Sequence, residues 1–385
     1  GLPAREREIV ILRIGFLCRS GYEWTQHVPI GKQAGLTDEE VARIKAGPDA
    51  PGWSAADAAL IRAADELHHD QFITDATWKA LDAHFSDKQK MDVVFSAGQY
   101  TQVSMMLNSF GVQLDEGQTL DPDLEGKTAV VCGAGQTPGQ TIGNGRAMAI
   151  LFAREGAKVL CVDRVAERAQ ETVDLIAAEG GQAEAFAANI AKADGAAAVI
   201  AKATEVLGRI DILVNNVGIG GGDGPAHKVE EDAFDRILSV NLKGAWLTSK
   251  AAIPVMREQG GGAIVNISSL ASIAGGTQVA YEVSKAAMNR LTTSIAQSNA
   301  KYGVRCNAIL PGLMDTPMAV AGIAQATGQD EEAVRQARGA RVPLRAKMGT
   351  AWDTAYAALF LASDEAAFIT GVLLPVDGGM SSRIG

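Results

Sequence analysis

A tyrosine and a lysine stand four residues apart in the stretch YEVSK, which runs from Tyr281 to Lys285. At this spacing their side chains lie on one face of a helix. A nearby ammonium stabilises a phenolate, so we expect Lys285 to lower the pKa of Tyr281 toward neutrality. The tyrosine can then exchange a proton with a hydroxyl or carbonyl group of a substrate. A hydroxyl from the pair Ser268-Ser269 can hold the same substrate oxygen.

A glycine-rich stretch, GAGQTPGQTIGNG, begins at Gly133 between the apolar run TAVVC and the helical run RAMAILFAREG. The usual dinucleotide fingerprint places three glycines within about six residues. Here about six additional residues, QTPGQT, precede Ile142. The glycines Gly139, Gly143 and Gly145 nevertheless restore a GxxxGxG spacing inside the longer loop. We predict a loop with an inserted bulge that presents bare backbone and a helix N-terminus to a pyrophosphate.

An acid at the end of the next apolar run, KVLCVD, indicates which dinucleotide binds. Asp163 follows Gly145 by 18 residues (145 to 163), close to the spacing of about 20 between such a loop and a ribose-binding acid. Its carboxylate can accept hydrogen bonds from the adenosine ribose and repel a 2′-phosphate, which favours NAD over NADP. Arg164 could reach a phosphate, so NADP remains the less favoured cofactor. Asp163 could also be only a strand-end cap.

The elements that must position these residues follow from the rhythm of the chain after Lys127. Short apolar runs alternate there with Ala-rich helical stretches, and the runs are TAVVC, KVLCV, IDILVNN, GAIVNIS, VRCNAIL and GVLLPV. Strands that alternate with helices predict an α/β fold, a Rossmann-type doubly wound parallel sheet covered on both faces. Ligands bind such sheets at the carboxyl ends of the strands, where these polar residues stand.

The first 112 residues have a different rhythm, which predicts a smaller all-α domain. In LTDEEVARIKAG, Thr37 is the predicted N-cap and Gly47 stands near the stop. The run KQKMDVVFSAGQYTQVSMMLNSFG is apolar on more than one side, which is typical of a helix buried between neighbours or against a partner subunit. Residues 113–126 are polar and predict a linker. The expected domains are therefore 1–112 and 127–385.

The bulk composition excludes several classes of protein. The 385 residues are 47% apolar and 21% charged, which predicts a two-domain globular enzyme. A net charge of −10 argues against nucleic acid or an anionic membrane surface as a partner. No apolar run has the length of a membrane span. Four cysteines without a CxxC pair indicate the reducing cytoplasm, with no disulfide framework or metal site; they are Cys18, Cys132, Cys161 and Cys306.

Residues 126–383 resemble the short-chain dehydrogenase/reductase family. The resemblance rests on NNVG at 215–218, SVNLKGAW, the paired serines, YEVSK, PGLMDTPM at 311–318 and ITGVLLPVDGG, all in order. It implies that Tyr281 is the general acid/base and that Lys285 binds the nicotinamide ribose and tunes the tyrosine. It also implies that Ser269 orients the substrate oxygen and that Asn241 holds the water of a proton relay. The enoyl reductase branch places Tyr and Lys farther apart and lacks the serine, so an alcohol or carbonyl substrate is expected.

The same resemblance implies a set of cofactor contacts along the carboxyl edge of the sheet. Thr316 and the backbone after Pro311 would contact the nicotinamide amide. Asn189 stands where the family usually has an aspartate beside the adenine. The full set is Gly133, Gly139, Ile142, Gly143, Asn144, Gly145, Asp163, Arg164, Asn189, Ile190, Asn216, Val217, Gly218, Tyr281, Lys285, Pro311, Gly312 and Thr316.

The N-terminal stretches YEWTQH and GQYTQVSMMLNSFGV resemble the carboxymuconolactone decarboxylase family. Glu23 and His27 are four apart on one helix face, and Glu8 precedes them by four helical turns. Two carboxylates and an imidazole could form a proton-transfer site or a polar cluster at a subunit contact. The redox branch of the family needs CxxC ahead of the histidine. Ser20 and Glu23 occupy those positions, so peroxidase or disulfide chemistry is not expected.

These observations together predict an NAD-dependent enzyme that interconverts a secondary alcohol and a ketone, both small molecules. The fused domain suggests catabolism of aromatic or alicyclic carboxylic acids. Two alternatives remain for that domain: a decarboxylase site built from Glu8, Glu23 and His27, or a non-catalytic module for oligomerisation. A binding protein without turnover is a further alternative. The two resemblances imply a homo-oligomer, a tetramer or larger, and the sequence does not name the substrate.

Overall fold

The structure is a computed structural model that describes residues 1–18, 20–110, 112 and 124–382. The chain divides into two units, Gly1–Pro122 and Asp123–Gly385. Most of the predicted linker, residues 113–126, lies outside the described residues, and residues 124–126 form a turn before the first strand. The domain boundaries at 112 and 127 therefore stay a prediction.

Helices form the described part of the N-terminal unit, as the sequence predicts. They are α1 (Ala4–Leu17), α2 (Gly21–Gln33), α3 (Asp38–Ala46), α4 (Ala55–His69), α5 (Asp75–Asp82) and α6 (Asp87–Phe110). Helix α1 is central, because residues 9–14 are buried and it packs against α2, α3, α4 and α6. Thr37 caps α3 through a capping box with Glu40, which satisfies two N–H groups at the start of that helix.

Helix α6 differs from the expectation of a helix buried on several sides. Its buried residues are Lys90, Val93, Ala97 and Ser104, whose spacing defines one helical stripe. Several apolar side chains on the remaining surface are exposed, and Phe95 keeps 68% of its surface accessible. Within the described residues, burial of α6 against neighbouring helices is therefore limited to this stripe. Burial against a partner subunit stays a prediction.

The C-terminal unit contains a parallel sheet of seven strands among its described residues. The strands are β1 (Thr128–Cys132), β2 (Lys158–Asp163), β3 (Ala183–Ala187), β4 (Ile212–Asn215), β5 (Gly262–Ile267), β6 (Val304–Pro311), β7 (Met314–Asp315), β8 (Gly349–Thr350) and β9 (Leu373–Val376). The strand order of the main sheet is β3-β2-β1-β4-β5-β6-β9, and every pairing within it is parallel. A separate small sheet pairs β7 with β8.

Helices cover both faces of this sheet. They are α7 (Asn144–Arg154), α8 (Ala166–Ala178), α9 (Ala193–Leu207), α10 (Glu231–Leu238), α11 (Gly244–Glu258), α12 (Val279–Asn299), α13 (Ala321–Thr327), α14 (Glu331–Gly339) and α15 (Ala351–Ala362). Alternate residues of each strand enter opposite cores. In β1, Ala129 and Val131 pack with α7 and α15, whereas Val130 and Cys132 pack with α9 and α11. The predicted doubly wound α/β fold is confirmed, and its strands are apolar because both faces are buried.

One strand of the main sheet was not predicted. Strand β3 has the sequence AEAFA and lies at the edge of the sheet, where its residues are only partly buried or exposed. An edge strand needs no continuous apolar run, so the pattern that identified the other strands is absent there. Cys132 and Cys161 are buried in core strands, where burial raises the pKa of both thiols to about 12.

Candidate active site

The glycine-rich loop follows β1, at the point where the strand order reverses between β1 and β4. Such a switch point opens a crevice for a ligand. Gly133 has a positive φ of 86°, which favours glycine. A Cβ atom on Gly145 would collide with the carbonyl oxygen of Gly133 and lie 2.5 Å from Asn216 Nδ2. Helix α7 can therefore approach β1 this closely only with glycine at position 145.

The inserted residues are held by one glutamine. Gln136 Oε1 accepts a hydrogen bond from Gly143 N at 2.8 Å, and its Nε2 donates to Thr141 O at 3.3 Å. The insert also rests on the segment that follows β6. A Cβ atom on Gly139 would lie 2.7 Å from Pro317 Cβ, and Thr141 Oγ1 lies 3.4 Å from Asp315 Oδ1. The bulge is thus folded against neighbouring structure, and Gln136 ties it to Gly143 ahead of the helical run.

The start of α7 fits the phosphates of a dinucleotide. Gly143 is the N-cap and brings no side chain, so the N–H groups of the first turn face the crevice without a side-chain cap. Among the described residues, the buried Asn144 Oδ1 has no hydrogen-bond partner. A buried polar atom of this kind is normally satisfied, which points to a polar ligand here. The helix N-terminus also attracts negative charge.

Asp163 acts as a cap and also borders the loop. One carboxylate oxygen accepts a hydrogen bond from Val165 N at 2.9 Å. The other lies 2.7 Å from the position of a Cβ atom on Gly135, so only glycine lets the loop pass this close. Arg164 is exposed. Further along the edge, Asn189 Oδ1 accepts from a neighbouring backbone N–H at 3.1 Å, and Ile190 is buried in the core.

The end of β4 joins the phosphate side of the crevice to the catalytic side. Asn216 Nδ2 donates to Gly133 O at 3.0 Å, and Val217 lies against the same glycine. A Cβ atom on Gly218 would lie 3.3 Å from Lys285 Nζ. The NNVG motif therefore contacts both groups of residues that the sequence predicts. Its first residue, Asn215, belongs to a buried hydrogen-bond network between strands β4 and β5.

The paired serines have different surroundings. Ser269 Oγ accepts a hydrogen bond from Ala271 N at 3.1 Å, and the interaction of this hydroxyl with Tyr281 acts to lower the pKa of the tyrosine. Ser268 is buried, and its hydroxyl donates to the carbonyl oxygen of Lys285 at 3.1 Å. Ser269 is thus the serine whose hydroxyl can share a substrate oxygen with Tyr281, while Ser268 ties β5 to helix α12.

The pKa of Tyr281 differs from the sequence expectation. Burial raises the pKa of Tyr281, and the interaction with Ser269 acts in the opposite direction. Lys285 Nζ lies 5.7 Å from the centre of the Tyr281 ring and donates to Ile267 O at 2.7 Å. Burial lowers the pKa of Lys285 to about 8. The expected fall in the tyrosine pKa is absent because desolvation acts on both groups and a backbone carbonyl holds the ammonium.

Asn241 lies in a π-helical turn, Ser239–Lys243, between α10 and α11. Its Oδ1 accepts from Ile219 N at 2.8 Å, and its Nδ2 donates to Ile219 O and to Ser284 Oγ. Both amide protons are therefore used to hold the loop after β4 against helix α12. Turns of this kind are frequent at functional sites, where they change which backbone groups are free.

The segment after β6 closes the other side of the crevice. Strand β6 ends at Pro311, and a Cβ atom on Gly312 would lie 2.7 Å from Asp377. Thr316 is buried, and its N–H donates to Met314 O at 3.1 Å. The fold thus brings the predicted cofactor and catalytic residues of the C-terminal unit to one edge of the sheet. Their roles stay predictions.

The N-terminal unit contains a separate polar cluster. His27 Nδ1 lies 2.7 Å from Glu8 Oε2, and Ser104 Oγ donates to Glu23 Oε2 at 2.5 Å. Both glutamates are almost fully buried. Among the described residues, Glu23 Oε1 has no hydrogen-bond partner, and burial raises the pKa of Glu23 to about 7. The ring of Tyr100 lies edge-on to His27.

Ser104 and Tyr100 were not among the predicted residues of this cluster. Both lie on α6 within GQYTQVSMMLNSFGV, the stretch that carries part of the family resemblance. Within the described ranges no group of three or more metal-ligating side chains could hold a metal ion. The helices described here also include none that is long and apolar enough to cross a membrane.

A doubly wound sheet with a glycine loop at its switch point and a Ser-Tyr-Lys cluster beside it defines a dinucleotide-dependent oxidoreductase. The family model described as enoyl-(acyl carrier protein) reductase matches residues 139–381, and that of the carboxymuconolactone decarboxylase family matches residues 1–66. The chain belongs to the short-chain dehydrogenase/reductase family, with an N-terminal carboxymuconolactone decarboxylase domain. It is an enzyme that acts on CH–OH groups with NAD(P), on a small-molecule substrate.

Relatives and solved structures match about two thirds of the chain. An uncharacterized oxidoreductase of Thermotoga maritima is 39% identical over 261 residues, which cover 68% of this chain and 99% of that protein. A 7alpha-hydroxysteroid dehydrogenase of Clostridium sardiniense is 38% identical over 268 residues, 67% of this chain and 94% of that protein. A solved structure of a 7 alpha-hydroxysteroid dehydrogenase with NADH and 7-oxo glycochenodeoxycholic acid has a TM-score of 0.60 and 32% identity. The match covers 67% of this chain and 96% of that chain.

The close approach of α7 to β1 generates a test of the phosphate loop. We expect Gly145→Ala to weaken NADH binding at least about tenfold, because the new methyl group forces the helix away from Gly133. Quenching or enhancement of NADH fluorescence on titration measures the affinity. Glu258→Ala is the control, since Glu258 is exposed at the end of helix α11 and takes no part in the glycine loop. Wild-type affinity in Gly145→Ala would contradict this account of the loop.

Proposed function

We propose that this chain interconverts a secondary alcohol and a ketone with NAD(H), and that Tyr281 is the general acid/base. The observation that carries the proposal is the buried Lys285, whose Nζ lies 5.7 Å from the centre of the Tyr281 ring at the carboxyl edge of the sheet. Buried ionisable groups with shifted pKa values are typical of functional sites. Tyr and Lys stand four residues apart, which agrees with an alcohol substrate and not with an alkene.

Tyr281, Ser269 and Lys285 have separate roles in the proposed reaction. In alcohol oxidation, Tyr281 accepts the proton of the substrate hydroxyl, and Ser269 donates a hydrogen bond to the same oxygen. In ketone reduction, Tyr281 returns that proton, and its raised pKa keeps the proton in place at neutral pH. Lys285 supplies positive charge next to the developing phenolate while it remains protonated. The bound nicotinamide accepts or returns the hydride at the carbinol carbon.

The preference for NAD over NADP rests on Asp163. Its second carboxylate oxygen borders Gly135 of the loop, where a ribose hydroxyl could donate to it and a 2′-phosphate would be repelled. The related 7 alpha-hydroxysteroid dehydrogenase structure contains NADH, which agrees with this preference. That relative also acts on a ring alcohol, and we propose an alicyclic or aromatic acid bearing a secondary hydroxyl as the substrate class of this chain.

Turnover with candidate alcohols tests the proposal. We expect a panel of hydroxysteroids, cyclohexanol and β-hydroxy acids to include an alcohol oxidised with NAD at least about tenfold more efficiently than with NADP. Tyr281→Phe should lower kcat at least about a hundredfold, because the proton acceptor is lost. As the pH rises toward about 8, oxidation should speed up and ketone reduction slow down, since oxidation needs Tyr281 deprotonated while Lys285 remains protonated. Absorbance of the reduced cofactor measures all of these rates.

The matched control for this test is Tyr302→Phe, which removes a hydroxyl from a partly exposed tyrosine that packs beside Arg257. It should leave kcat unchanged. Undiminished turnover in Tyr281→Phe rules out the proposed mechanism. Cofactor binding without turnover of any alcohol would favour the alternative of a binding protein.

A second candidate function is decarboxylation in the N-terminal unit. A β-keto acid formed by the dehydrogenase loses carbon dioxide when the electrons of the C–C bond pass to the neighbouring carbonyl, and a proton must then reach the resulting carbon. Glu23, with its pKa of about 7, can supply that proton near neutrality. The Glu8–His27 pair can return it from solvent. A purely structural network for these residues is the alternative.

Carbon dioxide release distinguishes these alternatives. With a β-keto acid as substrate, release should occur in the wild type, persist in Tyr281→Phe and disappear in His27→Ala. Release should fall as the pH rises through about 7, because Glu23 then loses the proton that it donates. Glu23→Gln should remove both the release and this pH dependence. Equal release from wild type, His27→Ala and the protein-free solution would rule out decarboxylation and leave the purely structural network.

We also propose that the chain forms a homo-oligomer, a tetramer or larger, in the cytoplasm. Met91, Phe95 and Met106 expose about half or more of their surfaces on one side of helix α6. An apolar stripe of this kind is costly in water and is typical of a subunit contact. The four cysteines are free, which agrees with a reducing compartment; they are Cys18, Cys132, Cys161 and Cys306.

Light scattering after gel filtration tests the assembly. We expect the wild type to have the mass of at least about four chains, and Phe95→Glu to lower the mass because a charge is placed in the apolar stripe. Leu175→Glu is the control, since Leu175 is a similarly exposed apolar residue on helix α8. A wild-type mass of one chain would contradict the proposal.

A further inference from the structure

The first turn of helix α12 carries Tyr281 but has no cap of its own. The N-cap residue, Gln278, makes no side-chain hydrogen bond to the helix. The first N–H groups of an α-helix have no partner within the helix and need acceptors from outside. Tyr281 is the third residue of this helix, so its backbone N–H belongs to that group.

The loop after β4 supplies these acceptors. Val279 N donates to Gly224 O at 3.1 Å. Ala280 N and Tyr281 N donate to the two carboxylate oxygens of Asp223, at 3.1 Å and 2.7 Å. A residue 58 positions earlier in the chain thus takes the place of the N-cap. Its negative charge also faces the positive end of the helix dipole, which strengthens the contact.

The rest of helix α12 is held by other groups. Lys285 is fixed by its hydrogen bond to Ile267 O, and Asn241 Nδ2 donates to Ser284 Oγ. The loop before the helix is held by Glu282, whose carboxylate accepts from three backbone N–H groups at positions 276–278. None of these contacts involves the N–H groups of Ala280 or Tyr281. Asp223 therefore acts on the turn that carries the tyrosine, and other contacts hold the remainder.

The same loop borders the tyrosine ring. A Cβ atom on Gly220 would lie 3.7 Å from Tyr281 Cδ2, so the loop backbone lies beside the ring. Arg236 anchors the loop from the other side, because its guanidinium donates to Gly221 O at 2.5 Å. The loop is thus held at two points, by Arg236 of α10 at Gly221 and by the first turn of α12 at Asp223. Its position and that of the tyrosine are coupled through Asp223.

We propose that Asp223 is a positioning residue for Tyr281: its carboxylate holds the first turn of α12 so that the tyrosine hydroxyl stays beside Ser269. The proposal rests on the proposed role of Tyr281 as general acid/base. Removal of the carboxylate should let this turn fray, because its N–H groups lose their acceptors. Small displacements of a catalytic group reduce turnover strongly, whereas the cofactor contacts near β1 and β2 are made by other residues.

The test compares the purified full-length wild type with Asp223→Ala, Asp223→Asn and the control Glu230→Ala. Glu230 is an exposed acid that makes no side-chain cap at the start of α10. The first measurement is hydrogen–deuterium exchange of peptides from α12, read by mass spectrometry. The second is kcat, KM and NADH affinity, with the alcohol that the wild type oxidises in the panel described above.

Asp223→Ala should speed up exchange in residues 279–284 but not in residues 288–299, and lower kcat about tenfold to a hundredfold, with NADH affinity within about twofold. Asp223→Asn should recover kcat only in part, since the amide keeps one acceptor oxygen and its NH2 group cannot accept from the second N–H. Glu230→Ala should match the wild type. Unchanged exchange or unchanged kcat in Asp223→Ala overturns the proposal, and so does a loss of kcat accompanied by lost NADH binding.

The exchange measurement separates this inference from the proposed function. If the wild type oxidises no alcohol of the panel, the proposed function fails, and the exchange of residues 279–284 still decides whether Asp223 holds this turn. If the wild type is active and the exchange of Asp223→Ala equals that of the wild type, only the positioning role fails.

Discussion

A buried ammonium group governs the arrangement of the active edge. Lys285 Nζ donates to Ile267 O at 2.7 Å, and only 2% of the residue is accessible to solvent. A charge in such surroundings is costly, and its pKa falls to about 8 in consequence. The hydrogen bond joins helix α12 to the end of β5, immediately before the serine pair. Tyrosine, lysine and serine therefore share one edge. Burial of the charge costs free energy, and the lowered pKa of Lys285 makes its protonation sensitive to a neighbouring phenolate.

The loops around this edge are tied to one another by side chains from distant parts of the chain. Asn216 joins the end of β4 to the phosphate loop, Asn241 joins the loop after β4 to α12, and Gln136 closes the inserted bulge. The inserted bulge is also held by a distant part of the chain, because it packs against the segment after β6. Helix α7 meanwhile keeps its close approach to β1. An irregular loop can thus keep a regular helix N-terminus for the pyrophosphate.

Much of this arrangement could be predicted from the sequence. Six strands of the main sheet were visible as apolar runs, and the motif residues followed because parallel strands end at one edge. Strand β3 was missed because its sequence, AEAFA, is partly exposed at the edge of the sheet and has no continuous apolar run. The role of Asp223 was not visible, since its partners lie 57 and 58 residues away. The raised pKa of Tyr281 was missed because spacing conveys charge proximity but not desolvation. The residue roles were predicted from the family resemblance, whereas the contacts come from the structure.

The central claim is that a hydride passes directly between a substrate carbon and the nicotinamide while Tyr281 manages the proton. The most direct measurement uses a secondary alcohol deuterated at its carbinol carbon, NAD and the purified chain, with mass spectrometry of the reduced cofactor. The account predicts that each reduced cofactor molecule carries one deuterium, and that Tyr281→Phe forms almost none of this product. Reduced cofactor without deuterium, or deuterated cofactor at the wild-type rate in Tyr281→Phe, would contradict it.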